Sequence, residues 1–158
     1  RALLEVLRST GARIGEIAEI TLDQIDMRTG DVLIQGEKGG RYRTIYLDDD
    51  ARYYYGLYLD NRTDDCPYMF PRSRKPYGKM TTCGFRAIIK SIGKRAGLTC
   101  RVYPHKSRKT LGMNLRNHGV EIGIIQEIFG HASSEVTMKF YAQTDNRRLR
   151  SIRERVAV

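Results

Sequence analysis

The sequence predicts a mainly helical domain with one small antiparallel β-sheet, an α+β arrangement around a single core. Three observations predict it. Most apolar residues recur at helical spacing. Two short alternating runs, 31–35 and 42–47, flank a Gly36-Glu37-Lys38-Gly39-Gly40 turn and read as a hairpin. A length of 158 residues at 41% apolar content suits one domain able to bury its own core.

Leu3, Leu4 and Leu7 place a helix over 2–8, broken at Thr10-Gly11, and a second short helix runs over 13–20. A third short strand is expected near Ile25 to Arg28, beside the hairpin. Asp48, Asp49 and Asp50 put acids at the positive end of a helix over 51–60, on which Tyr53, Tyr54, Tyr55 and Tyr58 read as core or surface aromatics. A loop through Pro67, Pro71 and Pro76 leads to Thr81 and Thr82, caps for a helix over 83–95. That helix would turn Phe85, Ile88, Ile89 and Ile92 inward and Arg86, Lys90 and Lys94 outward.

Pro104 closes an extended piece, and a helix over 105–118 is stopped by Gly119. The next, over 121–129, has Ile124, Ile125 and Ile128 as its stripe and Gly130 as its stop. Ser133 or Ser134 would cap a further helix through Thr137 and Tyr141, and a charged one over 146–155 ends the chain. No apolar run approaches the roughly 18 residues of a membrane span, and no secretory signal is recognisable, so membrane and secreted classes are not expected. Cys66, Cys83 and Cys100 lack a Cys-x-x-Cys pair and read as reduced packing residues of a cytosolic protein. The opening on Arg1, straight into a helical pattern, predicts one domain over 1–158 excised from a longer protein.

Charge narrows the function. The net charge is +10, yet residues 71–116 hold thirteen bases and no acid, while the remainder carries 15 bases and 18 acids. One segment therefore owns the whole excess. A phosphate backbone is the partner such a block suits, because each neutralised phosphate releases counterions; a solvated, solubilising surface is the alternative.

Several polar residues fall where elements begin or end, positions that a core does not require. Arg13 opens a helix, Lys38 tips the hairpin, His105 and Arg108 lie one turn apart, and His131 follows a helix stop. No trio of carboxylates stands out for two-metal chemistry on phosphates. Phosphoryl chemistry without a metal needs cations and a protein nucleophile. Arginine grips the non-bridging oxygens, lysine and histidine move protons, and tyrosine or serine attacks phosphorus.

The order of these motifs resembles the catalytic domain of the tyrosine recombinases, the phage-type integrases, over essentially the whole chain. Thr10-Gly11-Ala12-Arg13-Ile14-Gly15-Glu16 is similar to the family's first arginine box, and Gly36 to Leu47 to its lysine hairpin. Pro104-His105-Lys106-Ser107-Arg108-Lys109-Thr110 resembles its His-x-x-Arg box, and Gly130-His131-Ala132-Ser133-Ser134 with Tyr141 its nucleophile box.

The resemblance implies that Arg13 and Arg108 clamp the scissile phosphate, His131 adds a hydrogen bond, and Tyr141 attacks phosphorus to give a 3′-phosphotyrosine. His105 would manage the phenol proton, Lys38 would protonate the departing 5′-oxygen, and Glu16 would buttress the pocket, although Glu16 could also simply pair with Arg13. No cofactor and no metal are implied.

On the hairpin, Arg41 and Arg43 read as phosphate contacts, and Arg72, Arg74, Lys75, Lys79, Arg86 and Lys90 read as DNA-facing, mostly positioning the backbone. Lys109 stands where the family often has a second histidine. The implied partners are double-stranded DNA, further copies in a tetramer on paired sites through the 142–158 tail with its Leu149, Ile152 and Val156 stripe, and DNA-bending accessory proteins. The resemblance also implies an N-terminal DNA-clamping domain, which is expected to lie outside these 158 residues. The rival readings are a type IB topoisomerase-like relaxing enzyme, separable by a strand-exchange assay, and a catalytically silent DNA-binding regulator, which would bind without cleaving.

Overall fold

A computed structural model of the chain describes residues 1–36, 41–100 and 102–130. The first helix, α1 (Ala2–Thr10), buries Leu3, Val6 and Leu7 and ends at Gly11, whose φ of 58° lets its N–H return to the Leu7 carbonyl. Helix α2 (Ile14–Glu19) starts from Arg13, which is extended and serves as its N-cap residue, and is followed by a 3-10 turn at Leu22–Gln24.

Strands β1 (Asp31–Gln35) and β2 (Tyr42–Tyr46) pair antiparallel, with Val32 opposite Ile45 and Ile34 opposite Arg43. The third strand does not form: only Ile25 pairs, in a single bridge to Val32. Asp26 explains this, because its carboxylate accepts the Arg28 and Thr29 amides at 2.8 and 3.3 Å and turns the chain away.

Helix α3 (Asp49–Asp60) starts two residues earlier than its composition suggested, capped by Asp48, which accepts the Ala51 amide at 3.0 Å. Asp48 also pairs with Arg8 at 2.9 Å, and its amide donates to Ser9 Oγ at 2.8 Å. Ser9 in turn donates to the Tyr46 carbonyl, so one corner ties α1, β2 and α3 together. Tyr55 is buried and donates its hydroxyl to the Met69 carbonyl; burial pushes that phenol up from its ordinary value. Tyr53 faces solvent.

Helix α4 (Thr82–Arg95) is capped by Thr81 and buries Phe85, Ile89 and Gly93. Ile88, expected inward, is 37% exposed, because it lies at the rim of a groove shared with α3 and the start of α1. Helix α5 (Pro104–Asn117) begins with Pro104 in its first turn, where a missing N–H costs nothing. Helix α6 (Ile122–Phe129) buries Ile125 and Phe129, while Ile124, expected on its apolar stripe, faces out. Cys66 is buried as a packing residue, but Cys83 and Cys100 are exposed. No helix among the described residues is long and apolar enough to cross a membrane.

Among the described residues two apolar clusters result. The larger unites α1 to α4 with the hairpin, and the smaller joins Ile125 and Phe129 to Leu111, Met113 and Leu115 of α5. The expected helices from Ser133 onward lie outside the described residues. Replacing Asp48 by alanine removes a cap and an ion-pair partner together. The variant should be less stable by about 1 kcal/mol, read as a lower urea midpoint at an unchanged slope.

Candidate active site

At the seam between the two clusters lies a buried cation, Arg108. This residue sits on the first turns of α5, is 6% exposed, and donates from Nη1 to the Gly11 carbonyl at 2.7 Å and from Nη2 to the Phe129 carbonyl at 2.6 Å. Its guanidinium also lies 4.4 Å from the centre of the Phe129 ring. Gly11 and Phe129 end α1 and α6, so a cation meets the orphan carbonyls of two helix C-termini at once.

Glycine is required at position 11. Besides the positive φ, a Cβ there would stand 2.7 Å from the Phe129 ring and 2.9 Å from Leu111.

Two residues beyond Gly11 comes a second charge cluster. Glu16 has no exposed side-chain surface. It accepts the Arg13 amide at 2.7 Å, the reciprocal arm of a helix N-terminal box, and Arg13 Nη1 at 3.0 Å. Arg43 then approaches from β2 with Nη1 and Nη2 each 2.9 Å from one of the two carboxylate oxygens, a fork-to-fork pair. Burial works to raise the Glu16 carboxyl, but the hydrogen bonds from Arg43 and from the Arg13 main chain outweigh it and hold the group below the usual glutamate range. Arg13 keeps 26% of its side chain exposed.

These contacts bring Arg13, Glu16 and Arg108 into one region. His105 is exposed on α5 one turn before Arg108, and Lys109 is exposed behind it. Lys38, His131 and Tyr141 lie outside the described residues. Arg43 departs from its expected role as a phosphate contact: its side chain is 13% exposed and its fork is committed to Glu16.

Arg41, Arg72, Arg74, Lys75, Arg86 and Lys90 are exposed and make no ion pair with a described acid. Lys79, also exposed, pairs with Glu19. Arg86, Lys90 and Lys94 border a cleft of about 510 Å³ that runs to Tyr103 and Pro104, at the start of α5. The basic face thus leads to the helix that carries Arg108.

Motif reading does not supply the acceptors. The carbonyls of Gly11 and Phe129 carry no residue signature. Arg43 did leave a signal, since on β2 it has the same parity as the buried Ile45.

The phage integrase family matches residues 1–148 of the chain. Tyrosine recombinase XerA of Pyrococcus furiosus is 33% identical over 98% of this chain and 54% of its own length. Tyrosine recombinase XerC of Oceanobacillus iheyensis is 35% identical over 87% of this chain and 47% of its own length. The crystal structure of XerA recombinase superposes with a TM-score of 0.83 at 28% identity, covering 98% of this chain and 55% of that one. The Tn1549 transposon integrase, in complex with transposon right end DNA, shares the fold with a TM-score of 0.78 at 20% identity, over 99% of this chain and 58% of that one. The chain spans about half the length of the relatives it matches.

Because folding lowers the Glu16 pKa, its pairing contributes stability above the ordinary glutamate value, near about 4.3, and the contribution is lost as pH falls through the lower folded value. Urea unfolding over a pH series checks the sign. The stability gap between wild type and Glu16→Gln should be widest near neutrality and narrow as the solution is acidified.

Proposed function

The chain belongs to the phage integrase family, and from that membership we propose that it is the catalytic part of a site-specific DNA recombinase, acting on double-stranded DNA. The observation that carries the reading is the seam, where Arg108 and the braced pair of Arg13 and Glu16 meet through the end of α1.

In the proposed reaction the phenol oxygen of Tyr141 attacks the scissile phosphorus in line with the 5′-oxygen. The P–O5′ bond breaks as the tyrosyl P–O bond forms, leaving a 3′-phosphotyrosine. The phenol proton passes to His105, and Lys38 gives a proton to the departing 5′-oxygen. Attack by a 5′-hydroxyl on the phosphotyrosine reverses the sequence and joins strands, with no phosphoester energy spent and no metal required of the scheme.

A phenol of pKa about 10 is a weak nucleophile at neutral pH, so the cations carry the load. Arg13, Arg108 and His131 would meet the charge that builds on the non-bridging oxygens of the five-coordinate transition state. Their value lies in being fixed beforehand, and losing one such donor typically costs about 100- to 1000-fold in rate. The braced geometry of Glu16 supports Arg13 in that role.

The bases on the loop over 71–79 and on α4 that pair with no described acid fit a sugar–phosphate backbone that follows the cleft toward α5. Exchange between two DNA sites would need further copies of the protein, and the apolar stripe of the 142–158 tail suits contact between them. Accessory proteins that bend DNA belong to the same reading.

Trapping tests the chemistry. The full-length protein incubated with nicked duplexes should form a denaturation-resistant adduct that Tyr141→Phe abolishes; an adduct that survives this substitution would remove Tyr141 as the nucleophile. Binding tests the face. Arg86→Ala and Lys90→Ala should each weaken DNA affinity and lower the slope of log K against log salt by about 1, measured by titration over a range of salt concentrations.

A further inference from the structure

Arg43 is the one predicted DNA contact that the fold withdraws from the surface, and its surroundings give it different work. Three charged groups share a small volume: one carboxylate, Glu16, and two guanidinium groups, Arg13 and Arg43. The carboxylate is fully enclosed, and its two oxygens face the planar fork of Arg43 at 2.9 Å each. Arg13 reaches the same carboxylate with a single nitrogen, Nη1, and its main-chain amide.

The division of labour matters because one anion is neutralised once. With Arg43 filling both oxygens, Arg13 contributes a cation in excess. Without Arg43, Glu16 and Arg13 would close into a neutral pair, and the enclosed carboxylate would draw in the remaining nitrogens of Arg13.

Arg43 is fixed for this by its neighbours. It lies opposite Ile34 in the hairpin, on the same face as Ile45. Its guanidinium lies flush against Gly130, where a Cβ would stand 2.9 Å from Nη1 and 3.0 Å from Cζ. Gly130 has a left-handed φ of 58° and is the residue before His131. Arg43 therefore touches both the helix start that carries Arg13 and the turn that leads to the nucleophile motif.

We infer that Arg43 is a positioning residue of the reaction: by occupying Glu16 it leaves the Arg13 cation available to the scissile phosphate. The inference rests on the reading of Arg13 as a phosphate ligand.

Single-turnover adduct formation by the full-length protein tests it, on nicked duplexes whose scissile group is either an ordinary phosphate or a neutral methylphosphonate. Arg43→Gln should slow the reaction about 100-fold on phosphate, the size of losing one preorganised cation, and far less on methylphosphonate, which presents no charge for Arg13 to meet. Arg43→Lys should recover part of the rate. A mere loss of folded protein would slow both substrates alike, and equal slowing overturns the inference.

A second comparison holds even if Arg43→Gln does not fold. With Glu16→Gln already in place, Arg43 has no anion to occupy, so adding Arg43→Gln should change the rate on phosphate by no more than about threefold; a further loss of about 100-fold overturns the inference. Arg13→Ala separates the two levels of the argument. If it reacts as fast as wild type, the role of Arg13 falls and the inference with it. If it is inactive while Arg43→Gln is at full rate, the inference alone fails.

Discussion

A guanidinium taken out of water must be met by acceptors or it destabilises the fold by several kcal/mol, and that constraint falls on Arg108. The chain meets it with geometry. The carbonyl of Gly11 exists as an acceptor only because α1 stops there in a left-handed turn, and the carbonyl of Phe129 only because α6 stops one residue later. Both are negative ends of helix dipoles, so the cation is held by groups that need no counter-charge of their own. Two described neighbours inherit their place from this arrangement: Arg13 follows Gly11 by two residues, and Gly130 follows Phe129. The fold itself thus sets these charges in place, and electrostatic stabilisation of a transition state is worth most when its charges are fixed beforehand.

The basic residues divide into three kinds that composition alone cannot separate. Arg13, Arg43 and Arg108 are held by carbonyls and a carboxylate, where they build the candidate site. Arg72, Arg74, Lys75, Arg86 and Lys90 stay in water without described acids beside them. An exposed base held by an acid, as Lys79 is by Glu19, sits between the two: binding a phosphate there would have to displace the acid first. Net charge counts all three kinds equally, although only the second contributes fully to a long-range field.

Much of the fold was legible because its signals are local. Helix periodicity, the glycine-rich hairpin turn, Asp48 and Thr81 as caps and Gly11 as a stop all act within a few residues of the structure they cause. The failures were not local. The strand near Ile25 lost to a side-chain-to-backbone turn made by Asp26, and Ile88 and Ile124 carry an apolar pattern whose outcome depends on what packs opposite. Motif order singled out Arg13, Glu16 and Arg108, which the fold brings into one region, whereas the acceptors of Arg108 are main-chain atoms that no residue type announces. Arg43 was misread for another reason. Its charge was weighed as a surface property, while the alternation of β2 put it on the buried side.

The division into two apolar clusters bears on how the pocket fails. Among the described residues the smaller cluster fully encloses Ile125 and Phe129, with Leu111, Met113, Leu115, Val120 and Ile128 packed against them. Phe129 serves that cluster in three ways: its ring is core, its face carries the Arg108 cation, and its carbonyl is one of the two acceptors. These contacts cannot be surrendered one at a time. The site around Arg108 is accordingly a cooperative unit, and heat, denaturant or a destabilising substitution should change the fraction of molecules that possess it while leaving its geometry, in those that do, the same.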